Sequence, residues 1–284
     1  MKKIILCPNP TRDIGLAYTG EVKKRLEAHG SDVSICTAFY SSRGRDAEGP
    51  GLENIYAEIE GADLLISFGG DGTILHLSHA AAERDIPIMT VNMGDKGFIT
   101  EMEPGDIDRL IELAIGESYL IEERMMLDVT VKREGETVLR DYALNDAVVV
   151  GTARIIHLAV FGDGDKISEF SGDGIIVSTP TGSTAYSMAA GGPIVEPSAE
   201  NIIITPICAH ALIAKSFVLS SRRTVTVKVS HLNGKRAYLS VDGGQFRLKN
   251  GDEMTVSKSN HVTKIVKASQ RSFYEKINHK LGDS

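Results

Sequence analysis

Apolar residues in the first hundred positions fall into short runs separated by amphipathic stretches. Residues 3–7 form a strand-length run closed by Pro8-Asn9-Pro10, a turn signal. Over 11–29 the apolar positions Ile14, Ala17, Tyr18, Val22 and Leu26 recur on one face of a helix, and Gly30 marks its end. Residues 33–37 read as a second strand, and the polar stretch 41–50 as a surface loop. Leu64-Leu65-Ile66-Ser67-Phe68 is the next strand, meeting Gly69-Gly70-Asp71-Gly72-Thr73 and then a helical pattern over 74–84. Another strand follows at 86–91. This alternation predicts a parallel, doubly wound sheet, in which ligands gather at the carboxyl ends of strands, where the glycine turn falls.

After about Gly116 helical periodicity gives way to short runs of β-branched residues. Residues 127–132 and 137–142 flank one hairpin signal, and 155–161 and 166–170 flank another at Gly162-Asp163-Gly164-Asp165. Runs at 224–229, 237–241, 253–257 and 262–266 continue the pattern. A mainly β second domain over 101–267 is therefore expected, entered through a helix at 106–115. The tail at 272–281 is helical again and returns to the first domain, which comprises 1–100 with 268–284.

A chain of 284 residues with a formal charge of −7 can bury a large core, and it lacks the basic face that broad nucleic-acid binding needs. Cys7, Cys36 and Cys208 fit neither a disulfide framework nor zinc spacing. Their apolar surroundings mark them as reduced core residues of a cytosolic protein. The apolar run after Lys2 and Lys3 ends at Pro8, too early for a signal peptide, and no stretch reaches membrane-span length. A soluble, cytoplasmic protein with no nucleic-acid or membrane partner is expected.

Chemistry enters at three places. Around Asp71, three glycines let backbone N–H groups approach a bulky anion, and the following helix adds its unpaired N-terminal donors. A carboxylate repels phosphate, so Asp71 either handles a proton on an attacking hydroxyl or simply caps the helix. Asn145-Asp146, at a strand edge, reads as an ordinary Asx turn or as a pair that reads a ribose or amide ligand. In Gly172-Asp173-Gly174-Ile175-Ile176-Val177-Ser178-Thr179-Pro180-Thr181-Gly182-Ser183-Thr184-Ala185-Tyr186, a strand ends in a hydroxyl-rich loop entering a small-residue helix at 185–190. Four hydroxyl residues with a glycine exceed the needs of a cap and suit a nucleotide, with Tyr186 as a stacking face. His210 reads as a core histidine, and Asp242 with Gln245, around Gly243-Gly244, as a hairpin turn. No serine or cysteine triad and no Walker lysine motif is present.

In order and spacing these three segments resemble the bacterial NAD kinase (ATP-NAD kinase) family. Asn92-Met93-Gly94, Gly97-Phe98-Ile99-Thr100-Glu101 and Arg271-Ser272-Phe273-Tyr274-Glu275 are similar to further segments of it. The Gly-Gly-Asp-Gly motif is shared with lipid kinases and 6-phosphofructokinases; the threonine-serine-tyrosine tract is more specific. The resemblance implies an N-terminal α/β domain, a C-terminal β domain, and a homodimer or homotetramer with active sites near subunit contacts. It implies transfer of the ATP γ-phosphoryl group to the adenosine 2′-OH of NAD, giving NADP, with Mg²⁺ carried on the nucleotide phosphates rather than by protein ligands. Asp71 would be the base or orienting group for that hydroxyl. Gly69, Gly70, Gly72 and Thr73 would shape the phosphate site, with His76 facing it from the first helical turn. Asn145 and Asp146 would hold NAD, and Asp173, Thr184, Ala185 and Tyr186 would complete the pocket. Ser187, Met188, Ala189 and Gln245 would lie at its edge.

Departures from the family pattern are Asp146 for a common glutamate, Asp95-Lys96 for an arginine–apolar pair, and Ala209 and Lys215-Ser216 for a proline and an Arg-Pro pair. The rival readings are a lipid kinase sharing the glycine turn, which would want a membrane-facing surface, and a non-catalytic NAD-sensing module.

Overall fold

Strands Lys3–Pro8, Leu64–Gly69 and Ile88–Asn92 are buried almost without a break, because both of their faces are covered. On one side Ile4, Leu6, Ile66, Phe68 and Met89 join Val22 and Leu26 of helix Ala17–Ala28 and Leu110, Ile111 and Ala114 of helix Ile107–Ile115. Their alternate residues Ile5, Leu65 and Ile88 are equally buried. Helix Asp71–Glu83 packs on Leu64–Gly69 and Ile88–Asn92, burying Ile74, Leu77, Ala80 and Ala81. In this computed structural model residues 1–37, 53–94, 97–116, 119–152, 154–210, 215–268 and 272–282 are described. The loop at 41–50 and the pair Asp95-Lys96 lie outside them.

The chain divides into two compact units, residues 1–123 with 263–284 and residues 124–262. The division falls later than position 100 because helix Ile107–Ile115 contributes to the first unit's core. In the first unit the parallel strands run in the order Ile88–Asn92, Leu64–Gly69, Lys3–Pro8, Asp32–Thr37, Glu53–Asn54. The chain leaves Lys3–Pro8 in one direction and returns on its other side, so strand order reverses between Lys3–Pro8 and Leu64–Gly69. Open α/β sheets bind ligands at such a switch point. The carboxyl ends of the two strands are tied by Asn9 N–H donating to Phe68 O at 2.7 Å. The first helix begins later than its periodicity suggests. Buried Asp13 accepts the N–H groups of Tyr18 (3.1 Å) and Thr19 (2.8 Å), and Gly15 and Leu16 turn left-handed ahead of it. The C-terminal helix Phe273–Leu281 belongs to this unit, capped by Ser272 and Glu275.

The second unit is antiparallel. One sheet orders Phe217–Ser220, Asn201–Ile207, Gly174–Ser178, Asp146–Gly151, Ala237–Val241 and Gly244–Leu248. Asp165–Gly172, Ile156–Gly162, Val225–Ser230 and the first residues of Glu253–Lys267 pair one to the next in that order, and Leu120–Arg133 forms a hairpin with Glu136–Ala143. Val149, Val177 and Leu239 of the six-stranded sheet share one apolar cluster with Leu158, Val160, Val227 and Met254, a sandwich core. Its two-residue turns Glu134-Gly135, Asp163-Gly164 and Asp242-Gly243 are left-handed at both positions, as right-twisted hairpins require. Residues 253–257 and 262–266, expected as two strands, are one, Glu253–Lys267. Cys7 and Cys36 are buried, but Cys208 is exposed, at φ +46° just beyond strand Asn201–Ile207. Among the described residues no helix is long and apolar enough to cross a membrane.

Candidate active site

The glycine turn leaves strand Leu64–Gly69 at the switch point and becomes helix Asp71–Glu83 without a loop. Its glycines have different reasons to be glycine. A Cβ on Gly69 would sit 2.2 Å from Thr73 Oγ1, so that position is fixed by internal packing. A Cβ on Gly70 or Gly72 would meet nothing within 4 Å, and neither residue has a positive φ. They leave the start of the helix uncovered by side chains of their own. Thr73 Oγ1 is buried without a hydrogen-bond partner.

Asp71 is the first residue of its helix, and the helix has no side-chain cap. Its carboxylate instead accepts Phe98 N–H at 2.7 Å through Oδ2 and Ile99 N–H at 3.1 Å through Oδ1. Gly97 lets that segment close in, since a Cβ there would lie 2.5 Å from Asp71 Oδ1 and 2.7 Å from Thr100 Oγ1. The capping reading therefore fails. The carboxylate is aimed, and each oxygen keeps a lone pair for another partner. Because the helix starts at Asp71 rather than Ile74, His76 falls in its second turn, exposed.

In the second unit, the register Asp146↔Ser178 and Ala147↔Val241 gathers three chain segments at one end of the six-stranded sheet. Asp242 is the hinge of this arrangement. Its carboxylate accepts the N–H groups of Leu144 (2.6 Å), Asn145 (3.0 Å) and Asp146 (3.0 Å). Asn145 and Asp146 are each only 8% exposed, and Gly182 backs directly onto Asn145, a Cβ there reaching Asn145 O at 2.2 Å. Burial, and then the Asp242 charge, push the Asp146 carboxyl up to about 7. Asn145 Oδ1 and Ser178 Oγ are buried with no partner. Buried polar atoms ordinarily have a partner, whether water, ion or ligand. Asp242 was legible only as a turn residue; nothing in its local sequence signals three backbone bonds across about a hundred positions.

The hydroxyl-rich tract is built differently from the expectation. It forms a short turn, Gly182–Thr184, and a one-turn helix, Tyr186–Ala189, rather than a helix over 185–190. Its hydroxyls are largely spent inside the protein. Thr179 donates to Leu144 O (2.6 Å), Ser183 to Pro180 O (2.6 Å) and Thr184 to Thr181 O (3.1 Å), while fully buried Ser187 bonds Thr205 (2.8 Å). The tract is thus a rigid platform, and it presents Tyr186, 46% exposed, with Ala185, Met188 and Ala189 at or near the surface. Gln245 is exposed and pairs with Ser240 beside the Asp242 turn, at the same end of the sheet as Asp146. Asp173 is exposed at the opposite end of strand Gly174–Ser178, so the sheet does not bring it to Asn145. His210, expected in a core, is exposed.

A bare helix N-terminus at a switch point is suited to an anion such as phosphate, and a carboxylate fixed beside it to a hydroxyl partner. The class so defined is a kinase acting on a small-molecule alcohol. Comparison with known proteins narrows this. Residues 5–119 match the ATP-NAD kinase N-terminal domain and residues 144–268 the ATP-NAD kinase C-terminal domain. A NAD kinase of Ruminiclostridium cellulolyticum is 36% identical over 99% of this chain and 98% of its own, and one of Natranaerobius thermophilus 39% identical over the same shares. The crystal structure of a yeast NADH kinase complexed with NADH superposes with a TM-score of 0.82 at 25% identity, covering 99% of this chain and 88% of that one. The chain belongs to the ATP-NAD kinase family.

Proposed function

We propose that this protein transfers the γ-phosphoryl group of ATP to the adenosine 2′-hydroxyl of NAD, giving NADP and ADP. The observation that carries the reading is the pairing of an internally unneeded bareness at Gly70 and Gly72 with an Asp71 carboxylate held on two backbone N–H groups. The 2′-oxygen forms a bond to the γ-phosphorus, the bond from that phosphorus to the bridging oxygen breaks, and the hydroxyl proton passes to Asp71. An unactivated ribose hydroxyl gives up its proton only as charge develops, so a positioned carboxylate suffices. In the second unit the orphaned Asn145 Oδ1 accepts a donor from NAD, Asp146 reads a ribose hydroxyl, and exposed Tyr186 offers a stacking face.

The Asp71 carboxylate at the glycine turn fits a magnesium ion brought in on the nucleotide's phosphates, where it would neutralise phosphate charge. We further infer a cytoplasmic homodimer or homotetramer, a reading supported by the family resemblance alone. The test is incubation of purified protein with NAD, ATP and Mg²⁺, scored by a dehydrogenase that responds only to NADP. Wild type forms NADP, and Asp71→Asn binds NAD normally while kcat falls roughly 10²–10⁴-fold. Absence of NADP with wild type, or an Asp71→Asn variant of near-wild-type kcat, contradicts the proposal.

A further inference from the structure

Between Leu64 and Glu83 the chain contains no lysine or arginine, so the glycine turn brings no cation of its own. Phosphate sites that transfer a phosphoryl group use one, to hold the donor and to spread the charge that develops on it. Helix Phe273–Leu281 supplies two candidates, Lys276 and Lys280, one turn apart and hence on one face. Their situations differ. Lys276 is paired with the fully buried Glu101 carboxylate and is already neutralised.

Lys280 is not. It is only partly exposed, and its Nζ lies 4.7 Å from the centroid of the Phe98 ring. Among the described residues it makes no hydrogen bond and no ion pair. Phe98 is the residue whose N–H holds Asp71 Oδ2 at 2.7 Å. The ammonium therefore stands over the side chain that follows Gly97 in the segment wrapped around the Asp71 carboxylate. Burial lowers its pKa; the Lys276 charge does the same, and Asp71, Glu103 and Glu101 act in the opposite sense. A lysine headgroup is strongly hydrated, and stripping part of that water without an anion in return is unfavourable. The arrangement is explained if the anion arrives with the substrate.

We propose that Lys280, presented on the face of Phe98 by the C-terminal helix, is the cation that binds the donor's terminal phosphates at the glycine turn. It takes the place that a Walker lysine holds in other nucleotide sites, from the far end of the chain. The ligand chemistry is two or more linked phosphates, whether of a nucleoside triphosphate or of inorganic polyphosphate. The proposal rests on the reading that the turn from Gly69 to Thr73 receives the donor.

Two neutral variants that keep the stem on Phe98, Lys280→Met and Lys280→Gln, and one charged variant, Lys280→Arg, test it. The first measurement is binding of inorganic tripolyphosphate by calorimetry without NAD; the second is the KM for ATP and for NAD. Loss of a charge-assisted contact predicts roughly 10–100-fold weaker tripolyphosphate binding and a like rise in the KM for ATP. The KM for NAD stays within about twofold, the melting temperature of the free protein is unchanged, and Lys280→Arg recovers most of the loss. Unchanged tripolyphosphate affinity in either folded neutral variant overturns the proposal. So does a parallel rise of both KM values with a lowered melting temperature, the signature of a merely structural role. If wild type forms no NADP, the phosphotransfer reading fails by itself, and the tripolyphosphate titration still decides the role of Lys280.

Discussion

At the scale of single residues, the first site depends on what is missing from two positions and what is aimed at a third. Gly70 and Gly72 have room for a side chain and carry none, and Asp71 is turned away from its own helix toward Phe98 and Ile99. In the second unit the telling residue is Asp146, whose carboxyl is raised from 3.8 to about 7 by burial and by Asp242. Below about pH 4 both the folded and the unfolded chain hold its proton. Between roughly pH 4 and 7 the unfolded chain releases it first, so folding stability falls as pH rises, and above that window the penalty is constant. Asp146→Asn removes the penalty. Its melting temperature relative to wild type should climb across that window and level off above it, while its NAD affinity is weaker at every pH. Differential scanning calorimetry over that range reads the trend; a flat difference would mean that Asp146 is not desolvated. Asp71 was legible in the sequence because glycines flank it. Gly97 was legible only as part of a segment similar to the family, since its reason, a 2.5 Å approach to Asp71, is tertiary.

At the scale of elements, the strands and hairpins were largely legible, because periodicity and Asp-Gly pairs are local signals. Ala237–Val241 falls where its alternation places it, and the Asp163-Gly164 turn where its dipeptide does. Strands Asn201–Ile207 and Phe217–Ser220 were not marked by the pattern. The first is buried on both faces at its centre, and so shows a run instead of an alternation. The hydroxyl tract was legible as special but misleading in its reason, since its hydroxyls brace the loop rather than face solvent. What joins these elements into a site is the turn at Asp242. Asp242→Ala leaves three buried N–H groups unpaired, each worth about 1–3 kcal/mol. We expect a loss of at least roughly 3 kcal/mol in chemical denaturation and an NAD Kd raised at least about tenfold, with ATP affinity unaltered. A variant of wild-type stability and NAD affinity would show that the turn does not hold Asn145 and Asp146 in place.

At the scale of the whole molecule, the two units carry complementary equipment. The first unit, residues 1–123 with 263–284, has the bare helix N-terminus, the aimed carboxylate and an unneutralised lysine; the second, residues 124–262, has the buried amide–carboxylate pair and the exposed tyrosine. That the tail is a helix returning to the first unit was legible in the sequence, but the surroundings of its lysines were not, because Phe98 and Glu101 lie far away in sequence. The central claim is that Asp71 serves one hydroxyl, the adenosine 2′-OH of NAD. The most direct measurement is product mass after incubation with ATP and Mg²⁺, using NAD and its adenosine 2′-deoxy analogue side by side. NAD should gain one phosphoryl group; the analogue should gain none and should inhibit competitively against NAD, since most pocket contacts survive. A phosphorylated analogue would show that another hydroxyl is the acceptor and would contradict the role given to Asp71.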